Sequence, residues 1–228
     1  ICETINTKWD TGFVNSLSNL AVMYMSKGRF EQAEPLLKRA VEIEKSQLGE
    51  NNHLYANDLE NLAYSIYMLG RYEESEPLFL KAISINKIQI GENHPDYAIC
   101  LNNLAQLYVD MGRKGAAESL LLQAIEIDKS QLGVTHEQYA RHLNNLATLY
   151  LKMGNCIRAE FLLKEALEIS KNKYGENHPD YATKLNNLAW VYICFEQYEQ
   201  AEQLSRQAYI IHKKQLGESH PKCAADLY

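Results

Sequence analysis

The sequence predicts an all-α protein, a stacked solenoid of five antiparallel helix pairs with partial repeats at both ends. Three observations carry that prediction. Gly28, Gly70, Gly112 and Gly154 recur at a step of 42 residues, and a second row, Gly49, Gly91, Gly133, Gly175 and Gly217, keeps the same step. Between the rows recurs a Leu-Ala pair: Leu20-Ala21, Leu62-Ala63, Leu104-Ala105, Leu146-Ala147 and Leu188-Ala189. A glutamate follows in every copy, at Glu34, Glu76, Glu118, Glu160 and Glu202. A fixed period of this length marks units that each bury an apolar face only against their neighbours. Such an array offers one long repetitive surface, suited to gripping another chain.

Each element follows from the pattern within one unit, taken here from Pro95 to His136. Proline suits the first helical position, where its missing N–H is not needed, and Asp96 sits well at the positive end of the helix dipole. The preceding His94 is pushed towards an extended conformation by the proline. Leu101, Leu104, Ala105 and Tyr108 then fall at i, i+3, i+4 and i+7, an apolar stripe on one face. Gly112 ends this first helix. A second helix carries Ala117, Leu120, Leu121, Ala124 and Ile127 and runs to Leu132-Gly133, its small alanines allowing close approach. Transposed by the period, the scheme predicts helix pairs at 11–27 with 30–48, 53–69 with 72–90, 95–111 with 114–132, 137–153 with 156–174, and 179–195 with 198–216. Pro35 and Pro77 fall near the start of second helices, where a lost backbone bond matters least. Glu34 with Lys38, Glu160 with Lys164, and Glu202 with Arg206 stand at i, i+4 on the outer face and read as solubility features.

The domain reading is a single array over 1–228, with repeats at 11–52, 53–94, 95–136, 137–178 and 179–220, and 221–228 as the start of a further repeat. Ile1 to Thr7 match Ile43 to Gly49, and Pro221 onward matches Pro179 to Asn186, so both ends cut through repeats. A segment of a longer chain is expected, because natural arrays finish in polar capping units.

Lys and Arg number 23 against 29 Asp and Glu, a formal charge of −6 with no basic block, which argues against nucleic acid as a partner. No apolar run is long enough for a membrane span, so no membrane association is expected. The five cysteines, Cys2, Cys100, Cys156, Cys194 and Cys223, take different places in the repeat with no paired spacing. They read as ordinary small residues in a reducing, cytoplasmic setting.

The unit "HPDYATKLNNLAWVYICFEQYEQAEQLSRQAYIIHKKQLGE" resembles a tetratricopeptide repeat of the kind found in kinesin light chains. The generic pattern is met at Leu20, Ala21, Tyr24, Gly28, Ala33, Leu37 and Ala40 and at their periodic equivalents. The "LNNLA" phrase at 101–105, 143–147 and 185–189, with Asn-His-Pro-Asp at 93–96 and 177–180, is the kinesin light chain-like part. Departures are Glu196 where a glycine is expected, Lys114-Gly115 in place of an aromatic-Glu start, and Ile66 where a tyrosine stands. The resemblance implies a right-handed superhelix whose first helices line a concave wall.

A second stripe on the first helices would face that wall. It reads Asn15, Ser18, Asn19, Val22, Ser26; Asn57, Glu60, Asn61, Tyr64, Met68; Ile99, Asn102, Asn103, Gln106, Asp110; Arg141, Asn144, Asn145, Thr148, Lys152; and Thr183, Asn186, Asn187, Trp190, Cys194. The aligned amides Asn19, Asn61, Asn103, Asn145 and Asn187, with Asn102, Asn144 and Asn186 beside three of them, offer donors and acceptors that match the main chain of an extended peptide. Similar asparagines hold cargo backbone in the family this chain resembles. Tyr64, Tyr67 and Trp190 would anchor side chains, and Gln106, Arg141 and Lys152 would complete the face. A second role is open to the same amides, bonding the neighbouring helix and setting its packing. The charge along the stripe is mixed, so the preference of kinesin light chains for acidic peptides does not carry over.

No chemistry competes with binding. His94, His136, His178 and His220 recur one repeat apart, about a helix diameter or more, whereas zinc needs its nitrogens at about 2.1 Å from one ion. They read as helix-start residues. No Cys-x-x-Cys, phosphate loop or nucleophile elbow is present, and the repeat step separates Cys100 from His142 beyond hydrogen-bond reach. The sequence therefore predicts a scaffold, not an enzyme, with no catalytic residues, metal or cofactor. It would bind a protein or peptide segment in the concave groove. The alternative is a regulatory or structural arm of a larger protein, for example a caspase-like CHAT protease or a motor adaptor, whose groove holds its own chain or a sister subunit.

Overall fold

The computed structural model describes residues 11–218 and 220–226. The match of Ile1 to Thr7 to a helix tail, Cys2, and the last two residues of the further repeat lie outside them. The described residues form eleven helices: α1 (Thr11–Ser26), α2 (Phe30–Leu48), α3 (His53–Met68), α4 (Tyr72–Gln89), α5 (Pro95–Asp110), α6 (Lys114–Gln131), α7 (Glu137–Lys152), α8 (Cys156–Tyr174), α9 (Pro179–Cys194), α10 (Tyr198–Leu216) and the short α11 (Pro221–Ala225). Every predicted helix is present, with ends at most one residue from expectation. The chain divides into two compact units, Ile1–Met111 and Gly112–Tyr228.

In the first unit α1 packs on α2, α2 on α3, α3 on α4, and α4 on α5. Ala21, Ala33 and Leu37 of the first pair meet Leu62 and Ile66 of α3 in one buried cluster. Within the second pair, Tyr55, Ala56 and Leu59 of α3 close on Ala82 and Ile85 of α4. The second unit repeats the plan, with α7 on α8, α8 on α9, and α9 on α10. There Tyr139, Ala140 and Leu143 close on Ala166 and Ile169, and Tyr181, Ala182 and Leu185 on Ala208 and Ile211. The clusters headed by Tyr55, Tyr139 and Tyr181 are the same positions a whole number of periods apart, so the periodic leucines and alanines are the core in fact. Each buried Leu or Ile contributes about 1.5–3 kcal/mol over leaving it in water, and the alanines, with no exposed surface, let the helices approach.

The helix starts are more specific than proline and dipole alone. The Nδ1 atoms of His94, His136, His178 and His220 accept the backbone N–H two residues on, at 3.1, 3.2, 3.1 and 3.2 Å. The recurring histidine is therefore the N-cap, the helix-start role its position suggests, and Asn52 does the same for α3 at 2.8 Å. Pro35 and Pro77 differ from expectation. Both lie inside their helices, each at the sixth residue, where an N–H would already bond to i−4. Both are exposed, so water can take the carbonyl each leaves free.

The turn after each first helix needs a left-handed residue. Gly154 adopts φ 76°, and the turn is closed by Gly154 N–H to Leu151 at 2.9 Å and Asn155 N–H to Tyr150 at 2.8 Å. One repeat on, Glu196 holds the same place at φ 60°, with Glu196 N–H to Ile193 at 3.0 Å and Gln197 N–H to Tyr192 at 2.9 Å. It is the one non-glycine residue with positive φ among the described residues. The left-handed conformation costs an L-residue roughly 1–2 kcal/mol, part of which glycine returns through its freer unfolded chain. Glu196→Gly should therefore raise stability by about 1 kcal/mol in denaturant or thermal unfolding. A neutral or destabilising result would show that the glutamate side chain supplies a compensating contact.

Candidate functional site

The first helices of each repeat carry their polar residues on a face beside the core stripe, and the structure joins much of that face to the neighbouring repeat. In the first unit Asn103 Nδ2 donates to Glu60 Oε1 at 2.7 Å, and Cys100 Sγ donates to Glu60 Oε2 at 2.7 Å. Asp58 accepts from Ser18 of α1 and is also bonded to Asn61. Burial pushes the Glu60 carboxyl up even though both donors favour its charged form. Burial, then the Glu60 charge, pushes the Cys100 thiol far up, which disfavours the thiolate. In the second unit Asn187 Nδ2 donates to Asn144 Oδ1 at 2.8 Å, and Asn186 Nδ2 reaches the Ala225 carbonyl at 3.4 Å.

The expected binding residues thus fall into three groups. Asn102 is buried, 7% exposed, and its amide lies 3.4 Å from Asn103 Oδ1. Asn61, Asn103, Asn144, Asn145, Asn186 and Asn187 are half-buried; five of them carry the bonds described above, and Asn145 Oδ1 accepts from Asn144 at 3.4 Å. Asn19, Arg141, Lys152 and Trp190 are exposed, Trp190 at 43%. Gln106 is half-buried. Tyr64 stacks edge-on between Phe30 and Tyr67, with centroids at 6.3 and 5.9 Å. Tyr67 is buried, and its hydroxyl donates to Asp110 at 2.5 Å. Tyr67 is thus tied into the packing, and burial with the Asp110 charge pushes its hydroxyl well above the usual tyrosine range. Trp190 opens on a cavity of about 420 Å³ lined by α9 and α10, with Ile193, Tyr198, Tyr209, Glu202 and Arg206 on its walls.

Two periodic contacts escaped the sequence reading. The recurring glutamate of the second helix accepts from a tyrosine of the next first helix, Tyr108 to Glu76 at 3.1 Å and Tyr150 to Glu118 at 2.8 Å. Where Ile66 replaces that tyrosine, Arg71 takes over and grips both oxygens of Glu34 at 2.9 Å. Glu34 and Glu160 do pair with Lys38 and Lys164, at 2.7 and 2.6 Å, but the glutamate row also joins repeats. The second contact is a buried polar position on each second helix, Glu44, Asn86, Asp128, Ser170 and His212, facing one fourteen residues on. Asn86 donates to Cys100 at 3.3 Å, Asp128 lies 2.8 Å from His142, and His212 lies 2.6 Å from Asp226. Ser170 and Lys184 both donate to Asp180, at 2.8 and 2.5 Å. Burial lowers the Lys184 ammonium, while for Asp180 the Lys184 charge and these two bonds outweigh burial and hold its carboxyl low. A search for i, i+14 complementarity across the period would have found this row.

The cysteine expectation is corrected at one place. Cys156 and Cys194 form a disulfide, with Cα atoms 6.4 Å apart. Their spacing is not periodic because the bond joins the start of a second helix to the end of the next first helix, sites that only stacking brings together. Cys100 and Cys223 are free and buried. Among the described residues no helix is long and apolar enough to cross a membrane.

This geometry of paired helices agrees with the known proteins the chain matches. A profile described as tetratricopeptide repeat matches residues 13–87, 58–130, 116–172 and 138–214. The chain belongs to the tetratricopeptide repeat family. Among solved structures, this tetratricopeptide repeat chain is similar to BtubC (BKLC) from P. vanneervenii, at 26% identity, with 92% of this chain and 83% of that one covered and a TM-score of 0.75. It is also similar to a putative kinesin light chain with nearly identical TPR-like repeats from Podosopora anserina, at 24% identity over 88% of this chain and 95% of that one, TM-score 0.71. PilF of Pseudomonas aeruginosa shares the fold at 18% identity, 94% and 89% coverage and a TM-score of 0.62. No curated protein sequence matches. The kinesin light chain-like character read from the "LNNLA" phrase is thus matched in the structural neighbours.

In this tetratricopeptide array the buried pairs set a sharp test. Asp128 and His142 have no exposed side-chain surface. Removing one partner strands the other, whereas replacing both with apolar residues leaves only the bond from Gln138 Nε2 to Asp128, 3.0 Å long, to be lost in the single and double variants alike. Asp128→Ala should lower unfolding free energy by about 3–5 kcal/mol. Asp128→Leu with His142→Leu should recover most of that loss in the same equilibrium unfolding measurement. A double variant as unstable as the single would mean the pair itself supplies the stability.

Proposed function

We propose that the protein is a scaffold whose units each bind an extended peptide or partner segment along the face made by their first helices, α1, α3 and α5 in one and α7 and α9 in the other. Tetratricopeptide repeat arrays are in general protein-interaction scaffolds, and the finer reading rests on this chain's own residues. The observation that carries it is the half-buried state of Asn61, Asn103, Asn145 and Asn187 in the asparagine row. One bond to a neighbouring repeat uses only one of an amide's several hydrogen-bonding positions. That bond fixes the rotamer, so what remains is presented to a ligand at little further entropic cost. Exposed Trp190 adds a stiff aromatic anchor beside Asn186 and Asn187, and exposed Arg141 and Asn19 add polar contacts. The opposing electrostatics, Glu60 and Asp110 against Arg141 and Lys152, favour a partner recognised through its main chain over one recognised by net charge.

Asn61 and Asn103 are poor probes, because their bonds to Asp58 and Glu60 also hold the fold together. Trp190→Ala and Arg141→Glu change exposed positions instead, and Ile157→Asp, at a residue 75% exposed on α8, serves as the second-helix control. Peptides selected from a random displayed library on the wild-type protein should lose tenfold or more in affinity for the two first-helix variants, roughly the effect of one anchor. They should bind the α8 variant unchanged. Loss confined to the α8 variant would move the binding face to the second helices and end this reading.

A further inference from the structure

The row of buried polar pairs is complementary at every joint but one. Amide meets thiol at Asn86 and Cys100, acid meets imidazole at Asp128 and His142 and again at His212 and Asp226, and hydroxyl, acid and ammonium meet at Ser170, Asp180 and Lys184. At the remaining joint, between α2 and α3, both partners are acids. Glu44 is 5% and Asp58 6% exposed, and the two side chains are hydrogen-bonded to each other. Two carboxylates cannot bond without a proton between them, and at this depth water offers little relief.

The groups around the pair decide which acid carries that proton. Asp58 also accepts from the Ser18 hydroxyl of α1 and is bonded to the Asn61 amide of α3. Burial pushes the Asp58 carboxyl up, but these two bonds, and that to Glu44, favour its charged form. Glu44, on α2, faces Asp58 across the joint, and its Oε2 has no partner of its own. We propose that Glu44 and Asp58 form a proton-loaded clasp, in which Glu44 donates its proton to the Asp58 carboxylate and whose loss of that proton loosens α1 and α2 from α3. Among the described residues no facing cation substitutes for the proton, since the facing groups are an acid, a hydroxyl and an amide.

The sign follows from linkage. Burial first, then the Asp58 charge, raise the Glu44 carboxyl from 4.5 to about 7. The native joint therefore holds a proton that the unfolded chain has released. Its contribution is complete below pH 4.5, falls as pH rises, and is gone above about pH 7. The clasp is closed in mild acid and open above neutrality. Because Asp58 also holds Ser18 and Asn61, its release loosens the first-helix face of the first unit at that point alone.

Amide hydrogen exchange on the full chain, corrected for the intrinsic pH dependence of exchange, tests this. Openings of α1 and α2 should become up to tenfold more frequent per pH unit between pH 4.5 and about 7 in the wild type. In Glu44→Gln, whose amide donates to Asp58 at every pH, that component should vanish while the rest of the profile is kept. The same pH trend in α1 and α2 of both proteins would overturn the clasp. Should Glu44→Gln fail to fold, a carbon-detected titration of the wild-type side chain decides. A Glu44 midpoint above about pH 6 upholds the proposal, and one below it overturns it.

Discussion

Everything in this chain depends on each second helix being covered by the first helix of the repeat after it. A helix pair alone leaves a broad apolar face in water, and only the next pair removes it. In the first unit Leu37 of α2 finds Leu62 and Ile66 of α3, and a second helix also packs on the first helix after it at α4 with α5, α6 with α7 and α8 with α9. Apolar burial of this kind fixes distance and register but does not distinguish one joint from another. The polar residues do that. The glutamate row, gripped by Tyr108, Tyr150 or Arg71, and the buried row from Glu44 to His212 give each joint its own chemistry.

How much was legible in the sequence follows from what periodicity can and cannot report. Helix ends were read to within a residue, because Gly28, Gly70, Gly112 and Gly154 and the His-capped starts repeat in identity as well as place. The core was equally visible, as alanines and leucines recur unchanged. The buried pairs were hidden because their identity changes at every step: Asp128 with His142 looks nothing like Asn86 with Cys100 until the offset of fourteen is noticed. The disulfide was hidden for a related reason. Cys156 and Cys194 differ in repeat position, and only stacking makes them neighbours. For the binding face, the sequence could place the asparagines on one helix side but could not apportion them between neighbour and ligand, since both uses need the same amide at the same spacing.

That sharing has a physical logic. An asparagine whose only task was recognition would have to be immobilised when a ligand arrived. Asn187, already held to Asn144, has lost that freedom on folding. The cost is mutational fragility, because a change that removes recognition also loosens a joint. Trp190 escapes the bargain: it is held by its own helix and open to solvent, so it can vary without disturbing the stack.

The Cys156–Cys194 bond closes a loop of 38 residues around α8 and α9, in the middle of the second unit. In a repeat array, an extending force peels units away one after another, each releasing its contour length. Here the peeling meets a covalent stop: α8 and α9 can come undone, but the chain inside the loop, roughly 130 Å if drawn straight, cannot be handed to the pulling device. The array is therefore an unequal spring, with one stretch whose slack is locked away until a thiol cuts it free.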